Sequence, residues 1–202
     1  MEKTISNQII VVAVTFLFTS VLGGLLASFF QNRTWKHQNR VRLAEQERIL
    51  ATKVFESISS LMDKRLYRMR QLNWKIRNDT VSAEALEEAM NSYRDVLYEW
   101  NDNLNRNLAL VQCYFGKDAR KFLEGTLYEK FREIGSFLEQ GYLDKISTGD
   151  IAVFKKNKSN ISELRDDVYK LNVKMIELIQ KSEVGVFSPD TYLKQKKPLL
   201  YS

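Results

Sequence analysis

Hydrophobic positions follow two regimes along this chain. From Ile9 to Phe30 nearly every residue is apolar (IIVVAVTFLFTSVLGGLLASFF), and no charged residue occurs between Thr4 and Asn32. At 1.5 Å rise per residue the run reaches about 33 Å, enough to cross a bilayer core. It is longer than the apolar stretch of about 7–15 residues in a cleaved signal peptide. Leu25-Leu26-Ala27 also lacks the small residue that a cleavage site needs two places before its alanine. The expectation is one transmembrane helix.

Beyond that run, apolar residues recur at steps of three and four, which line one face of an α-helix. Phe55, Ile58, Met62, Leu66, Met69, Leu72 and Ile76 form such a face, and it stops at Asn78-Asp79-Thr80. Ser82 is placed to cap the next helix, with Val81 and Leu86 at the positions of a hydrophobic staple. The second face is Leu86, Met90, Tyr93, Leu97, Trp100, Leu104, Asn107, Val111 and Tyr114, and Gly116 suits its C-terminal cap. A third follows Asp118 through Leu123, Leu127, Phe131, Ile134 and Leu138, with its end expected at Gly141. The fourth runs from about Asp150 to Glu183 through Phe154, Asn157, Ile161, Leu164, Val168, Leu171, Met175 and Leu178. Asn160 and Glu163 resemble a capping box, which offers a later start for this helix.

The pattern predicts an all-α protein. A single N-terminal transmembrane helix (1–30) and a basic juxtamembrane stalk (31–45) precede an antiparallel helical bundle of about four helices (46–183) with coiled-coil-like packing, then a tail (184–202). The alternative is an open coiled-coil hairpin that buries its faces only by oligomerising. No Gly or Pro lies between Leu25 and Phe115, so the membrane helix is expected to run on into the soluble part. The tail holds both prolines, Pro189 and Pro198, and the cluster Lys194, Lys196, Lys197; it reads as partly ordered, with a docking peptide as the rival.

Composition agrees: 8 Gly and 2 Pro are too few for a many-stranded fold, and 28% charged residues is ordinary for a folded domain. The net charge of +6 matters through its placement. Lys3 is the only base before the span, whereas Arg33, Lys36, Arg40 and Arg42 follow it with no acid until Glu45. The positive-inside rule then puts the N-terminus outside and the C-terminal domain in the cytoplasm. In that topology the four Asn-x-Ser/Thr triplets, at Asn32, Asn78, Asn157 and Asn160, never meet the glycosylation enzyme. With Trp35, the four bases also form a candidate contact for anionic headgroups, at about 1 kcal/mol per base.

Within the span, Ser20, Gly24 and Ser28 recur every four residues beside Gly23 and Ala27, a face that lets two helix backbones approach. Common use of Gly in membrane helices is the plainer explanation. Asn107 and Asn157 interrupt apolar seams, where a buried Asn sets register and partner choice unless it lies at a bundle end or beside water. A second basic cluster, Lys64, Arg65, Arg68, Arg70, Lys75 and Arg77, includes Tyr67 and Trp74 and no acid. It is a possible face for an acidic partner. Stacking and phosphate contacts would also suit nucleic acid. A hairpin turning near Asp79, however, brings Lys75 towards Glu84 and Lys64 towards Asp95, and this internal pairing disfavours nucleic acid.

Candidate chemistry is sparse. His37 is the only histidine and Cys113 the only cysteine, so a His relay, a His-rich or cysteine metal site and an internal disulfide are excluded within one chain. Carboxylates such as Glu87, Glu88, Asp95, Glu99, Asp102, Asp166 and Asp167 lie mostly off the apolar seams, and no P-loop, dinucleotide fingerprint or serine elbow is present. No enzyme activity, metal or cofactor is expected. The leading expectation is a membrane-anchored interaction or scaffold protein that oligomerises or recruits a protein partner. The alternatives are an oligomerising effector that permeabilises the bilayer and a membrane-tethered nucleic-acid binder. Thr15, Thr19 and Ser20 are the only polar residues between Ile9 and Ala27, too few to line a wide aqueous pore.

Overall fold

The computed structural model describes residues 2–149, 151–156 and 160–186, with side chains from Ala13 onward except Val153 and Lys156. All regular structure among them is helical: α1 (Glu2–Arg77), α2 (Ala83–Lys121), a π-helical stretch (Phe122–Leu127), α3 (Tyr128–Ser147), the short α4 (Ala152–Lys156) and α5 (Ile161–Gln180). Helix continues from Glu2 to Arg77, as the lack of Gly and Pro after Gly24 predicts. The chain divides into two compact units, Met1–Glu45 and Gln46–Ser202.

In the first unit the large apolar side chains from Val14 to Phe30 are all exposed, at 48% for Val14 and up to 71% for Phe16. In the second unit most residues of the same types are inside, although Ile49, Leu50, Leu143, Ile146 and Ile176 are exposed. Ile58, Met62, Leu66, Met69, Leu72 and Ile76 of α1 are buried, with Leu61 beside them, and Phe55 is half-buried against the same core. Leu123, Leu127, Phe131, Ile134 and Leu138 are buried, as are Ile161, Leu164, Val168, Leu171 and Met175. On α2 the buried face drifts from the expected seam. Val96 and Phe115 are buried, while Leu97, Leu104 and Tyr114 are half-buried. A straight α-helix has 3.6 residues per turn, so a strict three-four repeat rotates slowly off its face.

The helix ends follow local chemistry. α1 stops at Arg77, and the Ser82 hydroxyl accepts the Ala85 N–H at 3.2 Å as the N-cap of α2. Gly116 does break the helical path (φ 86°, ψ 175°), but helical turns resume beyond it to Lys121. Gly141 does not end α3, which runs on to Ser147. A side chain at Gly141 would collide with the Phe154 ring, so this glycine serves close packing rather than a stop. α5 begins at the later of the two candidate starts, although Asn160 makes no side-chain cap.

Polar groups pin the elements of the second unit. Lys145 of α3 donates from Nζ to the carbonyls of Lys75, Ile76 and Asn78 at 3.0, 2.9 and 2.6 Å, satisfying the orphan carbonyls at the end of α1. Arg77 donates to the Phe154 and Lys155 carbonyls and lies 5.0 Å from the centre of the Phe154 ring. Asp167 of α5 accepts from Lys130 of α3 at 2.6 Å and from Lys170 at 2.8 Å. Asn172 of α5 donates to the Ser59 hydroxyl of α1 at 2.9 Å. Val184 is buried beyond α5, and the Gly185 N–H donates to the Tyr114 carbonyl at 3.2 Å, so the tail is packed at its first residues.

Candidate functional site

The residues expected to pack the membrane helix lie in the exposed apolar part of α1. A Cβ placed on Gly23 or Gly24 meets nothing within 4 Å, and Ser20, Ala27 and Ser28 are exposed beside them. The Thr19 hydroxyl donates to the Thr15 carbonyl at 2.8 Å. A polar side chain of this apolar segment is thus satisfied by its own helix. Arg33, Trp35, Lys36, Arg40 and Arg42 are exposed, Trp35 at 62%, and Arg42 also donates to Asn39 Oδ1 at 3.2 Å.

The second basic cluster does not form one face. It separates into several environments because successive helix residues point about 100° apart. Lys64 pairs with Glu99 at 3.8 Å, one turn beyond the expected Asp95. Lys75 donates to the Ala85 carbonyl at 2.9 Å rather than to Glu84. The Glu84 carboxyl instead bonds its own backbone N–H and the Ser82 hydroxyl, which hold its pKa below the usual carboxylate range. Arg68 bonds Gln71 at 3.1 Å and lies over Tyr67. Arg77 faces α4, as described above.

Arg70 and Lys75 line an open groove of about 710 Å³ with Tyr67, Trp74 and, from α5, Ser162 and Arg165. Tyr67 and Trp74 are 56% and 60% exposed. Arg165 reaches Asp166 at 2.8 Å. The groove therefore combines two exposed aromatic faces with three cations drawn from two helices. The sequence cluster contains its α1 half only; Arg165 comes from a distant segment that nothing in the local pattern connects to it.

Arg65 is the one member of the cluster inside the protein, at 3% exposure. Its guanidinium carbon lies 4.6 Å from the centre of the Phe131 ring and 5.6 Å from that of Trp100. Those rings themselves are 5.8 Å apart. Burial lowers the guanidinium's pKa, and the phenols of Tyr93, which hydrogen-bonds it, and of Tyr128 pull it back. Burial likewise raises the Tyr93 hydroxyl, against the opposing pull of Arg65. The hydroxyl of Tyr93 sits over Gly135, where any side chain would strike it. This burial corrects the expectation that Arg65 belongs to a face for an acidic partner; the signal in the sequence is its spacing, three after Met62 and four before Met69.

Asn107 is buried on α2 at 4% exposure, whereas Asn157 and the lysines Lys194, Lys196 and Lys197 lie outside the described residues. Cys113 is exposed. No known family, curated protein or solved structure matches this chain.

Proposed function

We propose that this chain is a single-pass membrane protein whose residues beyond the span form a cytoplasmic, antiparallel helical bundle that recruits a protein partner without enzymatic chemistry. The observation that carries this reading is the contrast between the two units. Ten large apolar side chains between Val14 and Phe30 are exposed as one uninterrupted run, while the second unit buries most residues of the same types around a core. Each such side chain gains about 1.5–3 kcal/mol on leaving water, so an uncovered run of this length demands lipid or another protein. The opposing pairs Lys75–Ala85 and Lys64–Glu99 support the antiparallel course of α1 and α2. The cationic, aromatic groove between α1 and α5 is the surface on which an acidic protein segment fits best. The exposed bases Arg33, Lys36, Arg40 and Arg42 suit anionic lipid and set the orientation.

Self-association of the span through Ser20, Gly24 and Ser28 would strengthen a partner contact by raising its effective concentration. The experiment replaces Ile9 to Phe30 with a membrane helix of unrelated apolar sequence and reads two things. A reporter fused after Ser202 should remain active on the cytoplasmic side. Partner capture from solubilised membranes should persist but weaken. A reporter active only on the outer side defeats the orientation. Ion leakage from vesicles carrying the native span, abolished by Gly24→Leu, would favour the permeabilising effector instead.

A further inference from the structure

A second pocket, separate from the groove, lies within the helical unit. It has a volume of about 140 Å³ and is lined by Arg65 of α1, Tyr93 of α2, and Tyr128, Arg132, Ser136 and Glu139 of α3. Arg65 is the buried member, 3% exposed, and its Nε and Nη1 have no hydrogen-bond partner among the described residues. The indole Nε1 of Trp100, on the ring 5.6 Å from the guanidinium, is likewise buried and without one.

Two guanidinium nitrogens and one indole nitrogen are thus buried without an acceptor among the described residues. Aromatic faces attract the guanidinium charge but do not accept its in-plane N–H groups as a carboxylate or phosphate does. The phenols of Tyr93 and Tyr128 act on the Arg65 charge, and no carboxylate forms an ion pair with it among the described residues. A buried charge in a folded protein is ordinarily paired with an opposite charge. At the rim Arg132 is already paired with Glu129, and Glu139 is the single acid of the lining.

We propose that this pocket binds a small oxyanion, a phosphate or a carboxylate group, with Arg65 as its counter-charge and the hydroxyls of Tyr93, Tyr128 and Ser136 as further donors. The volume exceeds the roughly 30 Å³ share of one water several-fold and falls below the roughly 300 Å³ at which drug-sized ligand sites begin. An inorganic oxyanion or a single carboxylate fits; a nucleotide does not. Because the lining comes from α1, α2 and α3, the anion would tie three helices together and stabilise the unit by mass action.

Trp100 provides the readout. The full chain in detergent carries Trp35→Phe and Trp74→Phe, which remove the two exposed indoles and leave the buried one. Inorganic phosphate and acetate are titrated separately at constant ionic strength, with chloride as the balancing salt. The expected result is a saturable change in Trp100 emission with at least one of the two; which arm responds identifies the ligand class. Glu139→Gln, which removes a like charge from the lining, should tighten binding about fivefold, a gain that misfolding cannot mimic. Arg65→Met should abolish the response while keeping the helical circular dichroism. If that variant unfolds, Arg65→Lys is read instead, and loss of the planar fork should weaken binding about tenfold. The proposal is overturned by no saturable change in either the parent or Glu139→Gln, by an unaltered midpoint in a folded Arg65 variant, or by a linear drift equal to that of chloride.

Discussion

Asp167 shows what one residue contributes across the helix packing. Its side chain is 9% exposed and joins Lys130 on α3 to Lys170 on its own helix. The hydrogen bonds from Lys130 and then Lys170 hold its carboxyl below the usual range, and the bond to Asp167 raises Lys130 in turn. A depressed carboxyl stabilises the fold above its unfolded value of about 3.9, and the contribution is lost as pH falls through the lower, folded value. The raised Lys130 acts oppositely: its contribution is complete below about 10.4 and disappears as pH climbs through the folded value. Asp167→Asn should therefore lower stability by about 1–3 kcal/mol near neutral pH. The deficit relative to the parent should shrink towards zero in strong acid. Urea denaturation at pH 7 and at pH 2–3 checks this, and an equal deficit at both would show that packing rather than charge is responsible.

Elements are held in place by end-to-side contacts as much as by their seams. α1 ends in partly buried surroundings where Lys145, from another helix, takes the carbonyls of Lys75, Ile76 and Asn78. An ammonium has three donors and no acceptor, so all three are used. Lys145→Met keeps the length and apolar stem but removes every donor, leaving partly buried carbonyls without this partner. A loss of about 2–3 kcal/mol is expected by thermal or urea denaturation. A change under about 0.5 kcal/mol, the scale of an ordinary surface substitution, would mean that water replaces the lysine freely. Ser82, whose loss usually costs about 1 kcal/mol as an N-cap, is the natural comparison at the other end of the same turn.

For the whole molecule, the division after Glu45 predicts that residues 46–186 fold without the span. That fragment should be strongly helical by circular dichroism and monomeric by sedimentation, since Ile58, Trp100, Phe131 and Leu171 are buried within one chain. Leu171→Asp, which places an unpaired charge at a position 1% exposed, should abolish the cooperative transition. A helical fragment that sediments only as an oligomer would revive the open coiled-coil hairpin. A monomer without helix would sink both arrangements.

What was legible beforehand follows from the range of the forces involved. The membrane-spanning candidate, the end of α1 before Asn78, the Ser82 cap and most buried residues are products of local hydropathy, helical periodicity and capping, and those act over one or two turns. Glycines misled where their purpose was not local: Gly141 was read as a stop, but it makes room for Phe154, and Gly135 makes room for Tyr93. The basic cluster misled for the opposite reason. Its members are neighbours in sequence, yet a helix turns them to different sides, sending Arg65 inward, Arg77 to α4 and Arg70 to the groove. Periodicity and capping together determined that this chain makes amphipathic helices behind one apolar run, and where α1 stops and α2 starts. Only the tertiary structure decided which distant side chains meet, placing Lys145 on the end of α1 and leaving Arg65 between aromatic rings without a carboxylate, because those pairings depend on how helices cross and not on any one helix's repeat.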